Sequence, residues 1–204
     1  MTQSASSQNS PFQTALIHAA YGLVVAPLTI IAHELGHFGV GLIVGAPDLA
    51  LHYGSVTDTA SEQGFASAKI GAQAIAGPIV TLLIMVACVF GLRRKPHPLF
   101  VAALIAAPVR FAVGAVYLAF SILAAVRGQP RGQPDFDEFN AAQAFGFPVE
   151  PLIVLELVVT LVIWSWLFRR LLGSPRLISI GSAVVGAVIG IGIWMGIVGP
   201  RLLP

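Results

Sequence analysis

Five long apolar runs dominate the chain and leave few folds open to it. They extend from Phe12 to Gly45, Ile70 to Leu92, Leu99 to Val126, Val149 to Phe168 and Leu177 to Leu203. A helix needs about 20 apolar residues to cross a bilayer, and each run supplies them. Only 10% of the 204 residues are charged, against about 25% in an ordinary soluble domain. The chain therefore lacks the polar exterior of a soluble enzyme, a disordered protein or a disulfide-rich secreted domain. Its one cysteine, Cys88, can form no intrachain bridge. The net charge of +2 is too small to suggest a nucleic-acid partner, and basic residues sit at the ends of apolar runs, where snorkelling anchors belong. The expected fold is an all-α polytopic membrane protein of about five transmembrane helices, with a small β-hairpin between the first and second.

The connections differ in kind. Residues 1–11, MTQSASSQNSP, are polar and uncharged and read as a disordered N-terminal tail without the basic start of a signal peptide. Residues 12–204 read as one transmembrane domain. Its first run would reach ~50 Å as a straight helix against a ~30 Å hydrocarbon core, so its start lies along the interface or it bends at Pro27. Arg93-Arg94-Lys95-Pro96 and Arg169-Arg170…Pro175-Arg176 are short basic turns. In the segment 47–70, LALHYGSV and FASAKI flank TDTASEQG and suggest a hairpin. In the loop 127–148 a doubled Gly-Gln-Pro precedes DEFNAAQAF, which reads as a short helix with acids in its first turn and a stop at Gly146 and Pro148. Five spans put the N-terminus and both basic turns on one side, and the hairpin, the 127–148 loop and the C-terminal end on the other. The first side holds six Lys/Arg in its turns; the second holds Lys69, Arg127, Arg131 and Arg201 among many acids. The positive-inside rule mildly favours the first side as cytoplasmic.

The chemistry concentrates in His33-Glu34-Leu35-Gly36-His37. Positions i and i+4 share a helix face, so both imidazoles can reach one Zn²⁺. Glu34, one residue round the helix, can stand beside the open coordination position as the general base that activates water. Three ionisable groups in five residues of an apolar span are costly at membrane depth unless something pairs them, and a metal does so.

A zinc site with two His ligands wants a third. The acids on the hairpin side are the candidates: Asp135, Asp137 and Glu138 in the loop, with Asp48, Asp58 and Glu62 of the hairpin reading better as solvated charges. Glu150 and Glu156 lie in the fourth span, and Glu156 would need a partner such as Arg110. Other features read as structural. Gly41/Gly45 and Gly186/Gly190 are GxxxG pairs, Trp164, Trp166 and Trp194 are packing or interface residues, and His18, His52 and His97 are isolated, with His52 alone placed to approach the site.

HELGH in the first span, a small hairpin, and then Ala76-Gly77-Pro78 in the second resemble the site-2 protease family of intramembrane zinc metalloproteases over roughly residues 25–145. The chain departs from that family's pattern twice. The Asn expected after Gly-Pro falls at Thr81, and Pro134-Asp135-Phe136-Asp137-Glu138 stands in place of the third motif. The resemblance implies His33, His37 and Asp137 as ligands of one Zn²⁺, with Asp135 as runner-up for the third, and Glu34 as the catalytic residue. It implies a zinc metallopeptidase that hydrolyses peptide bonds of membrane-spanning or membrane-associated proteins, with the bilayer and a membrane protein substrate as partners. It would also place the metal helix nearer the cytoplasm, against the Lys/Arg count. The protein is expected to be an integral, multi-pass protein, of the cell membrane if bacterial. The rival is a non-catalytic membrane protein that keeps a zinc site as a binding or assembly factor. A transporter would show two related halves, and the chain has no such repeat.

Overall fold

The structure, a computed structural model, describes residues 10–94, 97–130, 132, 134–171 and 175–204. Residues 1–9 of the expected tail, Lys95 and Pro96 of the first basic turn, and Arg131 and Gln133 of the loop lie outside the described residues. Helix α1 runs unbroken over Pro11–Val44. Its start is set by a capping box. Ser10 Oγ accepts from the Gln13 amide and Gln13 Oε1 accepts from the Ser10 amide, with Pro11 in the first turn, where no donor is lost. The helix thus begins at Pro11, within the residues read as tail. Gly45, with φ 76°, closes the helix in the left-handed conformation. That corrects its reading as half of a GxxxG pair, because nothing packs on Gly45.

The hairpin is shorter and earlier than the sequence suggests. Strand β1 (Ala50–Leu51) pairs antiparallel with β2 (Val56–Thr57). The chain turns at His52–Ser55, and the His52 amide donates to the Ser55 carbonyl. FASAKI, expected as the second strand, instead leads into α2 (Ser67–Arg94). Ala and Lys there favour a helix, and the Ser67–Ile70 stretch joins the long apolar run directly. The turn is tied to the far end of the chain: the Tyr53 amide donates to the Leu203 carbonyl, and Trp194 Nε1 donates to the Tyr53 carbonyl.

The third apolar run is broken. It comprises α3 (Pro98–Ala106), a 3₁₀ segment (Ala107–Phe111) and α4 (Ala112–Val126). Pro108 has no N–H for the Leu104 carbonyl four residues back, and Trp164 Nε1 donates to that carbonyl instead, at 2.8 Å. The loop then leads into α5 (Asp137–Phe145), stopped by Gly146 at φ 73°, which is the helix expected there. Helix α6 covers Glu150–Arg170 and α7 covers Pro175–Ile193; a π turn (Trp194–Val198) and α8 (Gly199–Leu202) finish the chain.

Five helical segments are long and apolar enough to cross a bilayer: Pro11–Val44, Ser67–Arg94, Pro98–Val126, Glu150–Arg170 and Leu177–Leu202. This is the architecture of a multi-pass membrane protein. Its core is built around Met85, Leu92, Val101, Leu104, Phe111 and Leu167. Large apolar side chains such as Ile43, Leu83, Val126 and Val188 point outward from the bundle, as lipid contact requires. Helix α1 packs most closely on α7. A Cβ at Gly186 would lie 2.0 Å from the Ala19 carbonyl oxygen, and one at Gly190 would lie 2.2 Å from that of Leu23. Leu23 is four residues before Pro27, so Gly190 faces a carbonyl that lacks its helical donor.

The two backbones therefore touch only because residue 186 has no side chain. Gly186→Ala should destabilise the protein by about 1–3 kcal/mol or more. Gly181→Ala, on the same helix with nothing within 4 Å, should be neutral or stabilise by up to about 1 kcal/mol. Thermal unfolding in detergent, followed by circular dichroism, distinguishes the two.

Candidate metal and catalytic site

The third turn from the end of α1 carries His33, Glu34 and His37, all buried. The i, i+4 spacing sets the imidazoles edge to face, with ring centroids 4.8 Å apart, and brings their Nε2 atoms to 3.1 Å. Asp137, more than one hundred residues later, reaches the same point. Its Oδ2 lies 2.8 Å from His33 Nε2 and 3.4 Å from His37 Nε2. A tetrahedral zinc with bonds of about 2.0–2.1 Å keeps its ligand atoms about 3.3 Å apart, so the triangle has the size such an ion needs. These three residues form a group able to hold a metal ion.

The hydrogen bonds behind the ligands bear on the fit. His37 Nδ1 donates to the Gln73 carbonyl, 2.8 Å away, so its Nε2 carries the lone pair. His33 Nδ1 meets Thr81 Oγ1 at 2.9 Å. With neutral imidazoles, at most one proton, on His33 Nε2, serves three atoms of acceptor character that face one another. A cation at their centre relieves that repulsion. Gly77 of α2 lies against this centre. A Cβ there would fall 2.2 Å from His37 Nε2 and 2.6 Å from His33 Nε2. Donor chemistry, spacing and the space opposite Gly77 all fit zinc. Burial alone would raise the Asp137 carboxyl; where the imidazoles carry the protons, the hydrogen bonds and charges of His33 and His37 outweigh it and hold the group below the usual carboxylate range.

Asp137 is delivered by packing. Helix α5 lies along α2, where Gly71 leaves room for Ala144 and Phe145. Phe136 and Phe139 seat the incoming loop on Tyr117, with centroids 5.4–5.9 Å apart. Asp135, the runner-up, instead accepts from Asn140 Nδ2 at 2.8 Å. Glu138 turns inward and shares a hydrogen bond with Glu156. Burial raises the Glu138 carboxyl, and the neighbouring Asp137 charge adds to the effect. Two carboxyls that share a hydrogen bond hold a proton between them.

Three pairings differ from the sequence reading. Arg110 pairs with Glu34, Nη2 to Oε1 at 2.7 Å, and not with Glu156, whose partner is Glu138. The 3₁₀ segment at Pro108 turns Arg110 toward α1, which the helical periodicity of an unbroken span would not show. Asp58 is tied down as well, its carboxylate accepting from Gln73 Nε2 at 2.7 Å and from the Ala60 amide. Thr81, which breaks the resemblance, meets His33 Nδ1 across the two helices. Gln73 was not visible as a site residue, since its contribution is a backbone carbonyl. His52 stays away, bonded to Thr57 and to the Pro204 carbonyl.

An open cleft of about 770 Å³ leads to the site. Glu34, His37 and Arg110 line it together with Ser55 and Val56 of the hairpin and Asp135 to Glu138 of the loop. The hairpin, the loop and the C-terminal end thus meet at one end of the bundle, as the count of spans predicts.

Because Thr81 orients His33, Thr81→Val should weaken zinc binding roughly 10–100-fold without removing a ligand. Gly77→Ala should abolish it outright, since the added carbon would occupy the ion's place. Competition with a chromogenic chelator measures both. Comparison with protein families, with curated proteins and with solved structures finds no match for this chain.

Proposed function

We propose that the protein is a zinc-dependent intramembrane endopeptidase acting on membrane-spanning or membrane-associated proteins. The observation that carries this reading is the convergence of His33 Nε2, His37 Nε2 and Asp137 Oδ2 on one point, with a glutamate, Glu34, one residue from the first ligand and facing the same cleft. His33, His37 and Asp137 would hold Zn²⁺, which supplies Lewis-acid activation of water and of the scissile carbonyl. Glu34 takes the proton from the attacking water and passes it to the leaving amine as the C–N bond breaks. Its burial keeps competing water away from the carboxylate. Gln73 and Thr81 fix the imidazoles so that neither turns away during the reaction. A spanning helix resists hydrolysis because its carbonyls are hydrogen-bonded, so the substrate must unwind near the cleft. Strand β2 lines that cleft through Val56 and offers backbone groups for an extended stretch to pair with.

One observation favours the rival, a metal-binding membrane protein without activity. The Arg110 guanidinium occupies Glu34 Oε1, so an oxygen that would receive the proton of water is already engaged. The two readings separate on Glu34→Ala. In the peptidase, this variant keeps about one Zn²⁺ per chain and loses cleavage of a fluorogenic apolar peptide in detergent. His33→Ala, His37→Ala and Asp137→Ala lose both, whereas Asp135→Ala keeps most of both. Elemental analysis beside the cleavage assay reads these outcomes. A zinc-loaded wild type without turnover supports the binding protein, and a wild type purified without chelator and still metal-free contradicts both readings.

A further inference from the structure

The mechanism just described gives no task to the cationic side chain of the cleft. Arg110 is the one lysine or arginine among the described residues lining the cleft, against Glu34, Asp58, Asp135, Asp137 and Glu138. We propose that Arg110 is a catalytic residue whose guanidinium takes the carbonyl oxygen of the scissile bond and stabilises the negative charge that develops there. This role rests on the peptidase reading.

Its position carries the argument. Nη2 is 2.7 Å from the base, Glu34, and 4.0 Å from Oδ2 of the ligand Asp137. A carbonyl attacked by water that Glu34 deprotonates must lie beside both groups, and so within reach of the guanidinium. A guanidinium carries five N–H donors, and Glu34 engages only one of its nitrogens, so donors remain for a second acceptor. Burial is unequal as well. The Glu34 side chain is 2% exposed and that of Arg110 is 30% exposed. A cation needed only to neutralise Glu34 could be enclosed with it, whereas this one stays open to the cleft. The backbone holds it there. Pro108 sets the 3₁₀ turn, and Trp164 fastens the carbonyl that Pro108 leaves free. Finally, charge growing on a substrate oxygen meets five carboxyl side chains around the cleft. Apart from the metal, only Arg110 opposes them, in a site where low dielectric strengthens each charge.

The electrons balance without a change at Arg110. The water oxygen bonds to the carbonyl carbon, the carbonyl π pair moves onto oxygen beside the guanidinium, and Glu34 holds the proton. The C=O bond then reforms, the C–N bond breaks, and Glu34 protonates the amine. Arginine stays protonated throughout.

The test compares Arg110→Gln, Arg110→Lys and Arg110→Ala in the zinc-loaded full chain. The readouts are zinc content, kcat and KM on an apolar peptide, and affinity for the phosphinic analogue of that peptide, which carries a tetrahedral anion. Arg110→Lys keeps a charge opposite Glu34 and guards against loss of fold. Arg110→Gln should keep its zinc and its KM while kcat falls roughly 100–1000-fold, the usual cost of one oxyanion donor. Affinity for the phosphinic peptide should fall by a similar factor, and added guanidinium should restore part of the Arg110→Ala activity. Undiminished kcat and phosphinic-peptide affinity in Arg110→Gln would overturn the role, as would a rise in kcat, which would make Arg110 a restraint on Glu34. A loss that follows zinc content or KM, with no guanidinium rescue, would reduce it to a structural partner. A wild type that neither cleaves nor binds the phosphinic peptide defeats the peptidase reading and this role with it. A wild type that does both beside an equal Arg110→Gln defeats the role alone.

Discussion

Two imidazoles and a carboxylate face one another inside an apolar bundle, and much of the surrounding structure serves to hold them there. Ionisable and strongly polar groups in such surroundings are costly unless they are partnered. The His37 Nδ1 proton goes to the Gln73 carbonyl, and the Gln73 amide is in turn held by Asp58 of the hairpin. His33 leans on Thr81, and Glu34 is matched by Arg110. Gly77 leaves the space in which the ligand atoms converge. Helices α1 and α2 and the hairpin therefore form a single polar unit, and α5 completes it with Asp137.

Two prolines within the spans, Pro27 and Pro108, follow the same logic. Each leaves a carbonyl without its helical donor, and the bundle uses what is left. Trp164 caps the carbonyl freed by Pro108, and the break aims Arg110 at the site. Gly190 packs on the carbonyl that Pro27 frees, where α1 and α7 come close together. Breaks that would weaken an isolated helix thus become points of packing and of side-chain placement.

Much of this was legible in the chain. The apolar runs mark the spanning segments within a few residues, because helix length in lipid is set by bilayer thickness. HELGH places two imidazoles on one face whatever surrounds the helix. Acids in a first turn and the Gly146 stop mark α5, and resemblance singles out Asp137 within it. What stayed hidden depends on how elements rotate against one another. Arg110 had two acids in reach, and only the 3₁₀ turn decides for Glu34 over Glu156. Glu138 and Glu156 satisfy each other across α5 and α6, a pairing with no local signature. The hairpin was misplaced because FASAKI alternates like a strand, yet it continues into a long helix. Gln73 acts through its backbone, which side-chain chemistry does not reveal.

The central claim is a single zinc held by two imidazoles and one carboxylate. X-ray absorption at the zinc edge of the metal-loaded protein tests it most directly. The account predicts a shell of nitrogen and oxygen atoms at about 2.0–2.2 Å, with outer-shell scattering from two imidazoles. A sulfur shell, or outer-shell scattering from one imidazole or none, would contradict it.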